Sequence, residues 1–258
     1  MPNWTNNRIV IKGLKEDLDE FLHDANKGED GYYSFNSWIP QPKTFADYDT
    51  TNYPYGKGME VGEHLTFEKN SPIITEELIE EYKKVSEEQE RIYGVVGWRA
   101  WRTANWGTKW NEELEIEFQN DERIDFVCET AWYSPKAFCL TISEMYKLEI
   151  WLYAHYEDAA NEAYYFYEGN VADITDDLTS QIVSAARENF ANDLDDEDLK
   201  FFNEWIDYNL YDMAYLSKFV EDDNMDDDGV IEECFNEWKE REIENEKARE
   251  EGWSYDDE

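Results

Sequence analysis

The sequence predicts an α+β fold continued by an acidic helical C-terminal region. Three observations predict it. Through the first 170 residues, β-branched and aromatic runs alternate with stretches that repeat apolar residues at helical spacing. After Gly169 the strand signal stops and only helical spacing continues. Aromatic residues make up 16% of the chain, as 11 Trp, 18 Tyr and 13 Phe, so a core can form despite a formal net charge of −40.

Taken in order, Asn7 to Lys12 is a β-branched run closed by Gly13 and reads as a strand. Leu14, Leu18, Phe21 and Leu22 have helical spacing, which predicts a helix from Leu14 to Asn26 ended by Gly28. Tyr32 to Ile39 reads as a second strand, stopped by Pro40 and Pro42. Residues 41–62 are rich in Tyr, Gly and Pro and long for a connection, so they read as an insertion or a functional loop. Thr75 opens a helix to Tyr93, with Leu78, Ile79, Tyr82 and Val85 on its inner side and an outer side almost all Glu and Lys. Trp98 to Trp110 is an aromatic segment. Glu113–Phe118 and Arg123–Thr130 alternate polar and apolar around Gln119-Asn120-Asp121-Glu122, a hairpin pattern. Ser134-Pro135 opens a helix to Tyr146. Leu148–Tyr156 and Ala163–Glu168 make another antiparallel pair. Helices are then expected from Thr175 to Phe190, from Asp195 to Val220 and from Ile231 to Glu250, with an acidic loop at Asp222–Gly229. The domains read as 1–170 and 171–258.

Charge dominates the functional reading. There are 63 Asp+Glu against 23 Lys+Arg. Residues 171–258 hold 30 acids and 7 bases, a net −23, and residues 1–170 hold 33 and 16, a net −17. Such a surface repels nucleic acid and anionic membranes and attracts proteins that normally hold phosphate. Direct nucleic-acid and membrane partners are therefore not expected. No apolar run approaches the roughly 20 residues of a membrane span. The opening Met1-Pro2-Asn3-Trp4 has no basic or apolar region of a signal peptide. Cys128, Cys139 and Cys234 match no zinc spacing, and an odd count suits a reducing compartment. The cytoplasm, including that of a host cell, is the expected location.

Two acid clusters stand out: Asp193, Asp195, Asp196, Glu197 and Asp198, and then Asp222, Asp223, Asp226, Asp227 and Asp228 with Glu221. Glu232, Glu233 and Glu237 extend the second, and Trp238 lies among them. Duplex DNA carries one charge per about 1.7 Å of axis, and carboxylates one helical turn apart are spaced by about 5–6 Å. These acids form a candidate surface for a partner that binds nucleic acid; the alternative is a solvated face. Asn224-x-Asp226-x-Asp228-Gly229 follows the start of an EF-hand loop, but Phe235 stands where the bidentate Glu is required, so the plainer reading is an acidic loop capped by Gly229.

Catalytic residues and cofactors are not expected. His23, His64 and His155 fall in no metal or triad pattern, and no phosphate-binding or nucleophile-elbow motif occurs. Glu115 and Glu117 share a strand face and could hold a metal, though acid pairs arise readily among 63 acids. Trp98, Trp101, Trp106 and Trp110 interleave with Arg99, Arg102 and Lys109, a pattern that can stack single-stranded nucleic acid. The net repulsion favours a core and loop role instead, with Asn105 and Gly107 shaping a turn.

The stretch MPNWTNNRIVIKG, with Asn3, Trp4, Asn6 and Gly13, and the stretch RTANWGTKW, with Asn105, Trp106, Gly107, Thr108, Lys109 and Trp110, together resemble the YubB-like ferredoxin-like proteins of phages and conjugative plasmids. That family often carries Cys after the first Trp; here Thr5 replaces it, which argues against metal or redox chemistry at that position. The resemblance spans about residues 1–170. It implies a ferredoxin-like antiparallel sheet with helices on one face, a structural role for the motif residues and a mobile-element origin, without implying an activity. With the charge, the expectation is a phage-encoded acidic inhibitor of anti-CRISPR or anti-restriction type. It would bind a host protein with a basic surface by mimicking or excluding nucleic acid. The alternatives are a phage structural or assembly accessory protein and a metal-dependent hydrolase.

Overall fold

The computed structural model describes residues 3–28, 31–66, 71–157 and 161–175, and further on Leu194, Asp198, Leu199, Phe202, Asn236, Lys239, Glu240 and Ile243. The elements are β1 (Trp4–Lys12), α1 (Lys15–Asp24), β2 (Tyr33–Ser34), α2 (Phe35–Trp38), α3 (Lys43–Asp47), a 3-10 turn (Pro54–Gly56), α4 (Glu76–Tyr93), α5 (Trp98–Trp106), β3 (Glu113–Gln119), β4 (Arg123–Ala131), α6 (Lys136–Tyr146), β5 (Glu149–Tyr156), β6 (Asn161–Tyr167) and β7 (Asn170–Asp173).

The strands form one antiparallel sheet in the order β2-β3-β4-β1-β5-β6-β7. Within it, β1-α1-β3-β4-α6-β5 with spatial order β3-β4-β1-β5 is the split-βαβ, ferredoxin-like arrangement. Residues 25–112 are inserted between α1 and β3, and β6 and β7 widen the sheet. The fold is α+β, as the sequence pattern implies. Two compact units divide the chain, residues 1–152 with 166–171 and residues 153–165 with 172–258.

Pairing of β1 with β4 runs from Trp4 opposite Ala131 to Lys12 opposite Arg123. Ile9, Val10 and Ile11 are all 0% exposed. Burial of consecutive residues means that both faces of this strand are covered, which is why the NRIVIK run is continuous rather than alternating. One face is aromatic. Phe21 of α1 stacks on Trp38 at 4.5 Å and meets the edge of Phe126 from β4 at 6.3 Å. The Trp38 indole donates to the Phe21 carbonyl at 2.7 Å, and Phe138 of α6 meets Phe35 at 5.1 Å. On the other face the two guanidinium groups of Arg8 and Arg123 each donate to the Asp125 carboxylate at 2.6 Å. Asp125 is 0% exposed.

Several elements depart from the sequence expectation. Tyr32–Ile39 is a strand only at Tyr33–Ser34 and then turns into α2. The cause is local: Ser34 and Ser37 form a reciprocal capping box, the Ser34 N–H donating to Ser37 Oγ at 2.9 Å, and this starts a helix against the β preference of the aromatic run. Leu14 is not on the apolar face of α1 but at its cap, 65% exposed, and Leu18 and Phe21 carry the burial. Residues 41–62 contain α3 and the 3-10 turn rather than irregular loop alone. A strand, β7, follows Gly169. Glu168 and Gly169 have φ of 48° and 73°, the two left-handed positions of a tight hairpin turn, and β7 is exposed along its length, so it lacks the apolar alternation that marks a strand. The expected helices at 175–190, 195–220 and 231–250 lie outside the described residues, apart from the single positions named above.

Candidate functional site

The acidic surface is best seen on α4. Its inner side follows the apolar periodicity: Tyr82 packs with Met59 and Ile74, and Leu78, Ile79, Tyr48, Tyr53 and Leu65 close around them. Thr75 Oγ1 accepts from the Leu78 N–H at the first turn, and Gly94 ends the helix with φ of 73°. Ser86 and Gln89 are also buried, while Glu76, Glu77, Glu80, Glu81, Glu87, Glu88 and Glu90 are all exposed. Lys83, Lys84 and Arg91 interrupt them, yet none makes an ion pair with a described carboxylate. Tyr48 and Tyr55 donate their hydroxyls to Glu81 and Glu90, which raises both phenols above their ordinary range. Four residues advance a helix by roughly 6 Å, so Glu76 and Glu80 repeat near phosphate spacing.

Of the acids proposed from sequence for partner binding, Asp198 is described, and its carboxylate pairs with the Lys239 ammonium. That charge is therefore partly neutralised. Asp193, Asp195, Asp196, Glu197, Asp222, Asp223, Asp226, Asp227, Asp228, Glu232, Glu233, Glu237 and Trp238 lie outside the described residues, as does Asn224 of the calcium candidate. Glu117 lies 3.2 Å from the Arg8 guanidinium. Among the described residues, no group of three or more His, Cys, Asp or Glu side chains could hold a metal. Cys128 and Cys139 are buried, and burial pushes both thiols up, so they remain protonated. No helix of the described residues is long and apolar enough to cross a membrane.

The aromatic segment resolves into a buried half and an exposed half. Trp106 is 0% exposed, with its indole donating to the Ile39 carbonyl at 2.9 Å. Asn105 donates back to the Trp101 carbonyl at 2.8 Å. Gly107 caps α5 at φ 89°, and a Cβ there would stand 2.8 Å from the Ser134 carbonyl oxygen, so only glycine fits. Arg102 lies over the rings of Trp98 and Trp106 at 5.0 and 5.1 Å and donates to the Gln41 side chain. Burial lowers its pKa from the ordinary value. Trp101 and Trp106 are thus committed to the core and are not available to stack bases.

The exposed half is built by β1–β4 pairing. Trp4 of β1 meets Trp110, ring centroids 5.5 Å apart, so the segment after α5 closes against the start of β1. Past the end of β4, the Trp132 N–H donates to the Asn3 carbonyl at 2.9 Å. Trp132 has φ of 78°, a left-handed conformation that costs a bulky residue of order 1–3 kcal/mol. It is 46% exposed, and Tyr133 beside it is 61% exposed. The Lys109 ammonium sits 4.2 Å from the Trp110 ring and 5.4 Å from the Trp132 ring. Glu129 is exposed, on the same sheet face as Trp4 and one pair further along, opposite Asn6. Burial raises Glu112 above the ordinary carboxylate range, and the charge of Glu129 adds to the shift. Sequence reading missed Trp132, Glu112 and Glu129. No local signal marks them; the strand register alone brings them to this corner.

No protein-family model matches the chain, and no curated protein matches it. Among solved structures the chain is similar to the crystal structure of a protein, Api92, from Yersinia pseudotuberculosis, of family DUF1281. The identity is 8%, over 67% of this chain and 97% of that one, with a TM-score of 0.38. A likeness of that size carries no argument about function.

Proposed function

We propose that this protein is a strongly acidic inhibitor that binds a host protein through that protein's basic, nucleic-acid-handling surface. The observation that carries the reading is the net charge of −40. It is supported by the glutamates of α4, exposed and without ion pairs to described residues. Such a surface steers a basic protein toward it and competes with phosphate for the same groove. On this reading the chain is phage-encoded, acts in the host cytoplasm against a nuclease, CRISPR effector or restriction complex, and needs neither chemistry nor cofactor. The resemblance of residues 1–170 to the YubB-like family is proposed on the same footing. It is supported by the contact of Trp4 with Trp110.

The test is capture from nuclease-treated host lysate on the immobilised chain, eluted with a salt gradient. The expected result is a DNA- or RNA-handling protein that leaves at moderate salt and is displaced by duplex DNA. Capture of phage structural proteins alone would replace the reading with a role in particle assembly. Capture of nothing specific would overturn it.

A further inference from the structure

We propose that the rings of Trp110 and Trp132 form a cation-binding cage, which Lys109 fills in the free protein and which a guanidinium or ammonium side chain of a basic protein partner enters on binding. The inference rests on the acidic-inhibitor reading and gives it an anchor. The resident ammonium shows that the two rings converge on a point where a cation is held: both centroids lie within the roughly 6 Å over which an aromatic face attracts one. Lys109 is held there by the indoles, and it makes no ion pair with a described carboxylate in a chain with 63 acids.

The cage opens to solvent on its Trp132 side, with Trp110 and Lys109 half-buried. Trp132 is 46% exposed, Tyr133 61% and Trp4 36%. Carboxylates lie nearby in the chain, Glu112 two residues from Trp110 and Glu129 three from Trp132. Glu129 follows Trp4 on one face of the sheet, Glu112 lies close enough to feel its charge, and neither side chain is bonded to a described residue. A partner's arginine entering the cage would meet indole faces and then carboxylates, the combination that best holds a guanidinium. Lys109 has a flexible stem and can swing out to solvent, so an incoming cation displaces it without moving the backbone. The occupant is cationic because a chain at −40 selects basic partners and repels a base carried on phosphate.

The experiment is titration with an oligo-arginine peptide, followed by tryptophan fluorescence at low and high salt, with oligothymidine as the comparison. Trp132→Ala should weaken peptide binding about two- to thirty-fold, the range set by one cation–π contact. Lys109→Met empties the cage and should strengthen binding by a factor in the same range. Lys84→Met on α4 removes the same charge elsewhere and measures the effect of net charge alone. A thermal melt of Trp132→Ala checks that it folds, and the opposite sign expected of Lys109→Met guards against a loss caused by unfolding. If Trp132→Ala binds as the parent and Lys109→Met only matches Lys84→Met, the cage is refuted. The acidic reading then survives provided that binding still weakens with salt. Binding of oligothymidine in preference to the peptide would overturn the cage as a cation site. If the parent fails to bind the peptide even at low salt, both readings fall.

Discussion

Asp125, in the middle of the sheet, and Glu80, on the outer side of α4, carry the same charge in opposite settings. Asp125 is 0% exposed and receives hydrogen bonds from two guanidinium groups, those of Arg8 and Arg123. Glu80 is exposed and makes no ion pair with a described residue, although Lys84 lies one helical turn away. Desolvation explains the difference. A carboxylate withdrawn from water costs several kcal/mol unless it is matched, whereas one in water is solvated and gains little from a counterion. The chain therefore places paired charge at the sheet and unpaired charge on α4. That unpaired charge remains available to a partner.

The largest test of this contrast is Asp125→Ala. It leaves two buried guanidinium groups sharing no carboxylate and should cost about 3–5 kcal/mol, measured by urea unfolding. A loss below about 1 kcal/mol would mean that the pair is not desolvated in solution. Replacing Glu80, Glu87 and Glu88 together by Gln should change stability by less than about 1 kcal/mol in the same assay. The same variant should weaken binding of a basic partner about tenfold at low salt, and the gap should close near 1 M salt, where screening extends to about 3 Å.

A smaller effect is expected at alkaline pH. Burial, and then the negative charge and hydrogen bond of Asp24, push Tyr146 up to about 12. The folded state then keeps a proton that the unfolded chain loses near pH 10. Stability from this group is full below pH 10 and is lost as pH rises toward 12. Tyr146→Phe should flatten that slope in melts across the range; an unchanged slope would assign it to other groups. The smallest effect concerns Glu112. Its raised pKa means that the folded state disfavours the ionised form, so stability falls as pH rises above the ordinary carboxylate range. Glu112→Gln removes that penalty and should raise the melting temperature at neutral pH by less than about 2 °C, the charge being partly screened by solvent.

Elements whose evidence is periodic were legible without a structure. α4 shows its apolar stripe and its glutamate side directly, and β3, β4 and α6 fall close to the positions that alternation and the Ser134-Pro135 start indicate. What periodicity cannot carry was misread. The Ser34–Ser37 capping box outweighs an aromatic run, and β7 has no buried face to mark it. Asp125 sits at a polar position of an alternating strand and reads as exposed; its burial depends on what faces that side of the sheet.

The candidate site divides in the same way. Sequence alone determined the charge, a sum over the whole chain, and the outward glutamates of α4, a periodicity of residues near one another. The corner of Trp4, Trp110, Trp132 and Lys109 was decided by the tertiary structure. Trp4 is more than a hundred residues from the other three in sequence; β1–β4 pairing places it opposite Ala131 next to Trp132, and the segment between α5 and β3 brings Lys109 and Trp110 against them. A shift of one residue would turn Trp4 to the other face of the sheet. That register is set by burial of Ile9, Ile11, Ile124 and Phe126 on the helix-covered face, a condition that exists only once the sheet has formed.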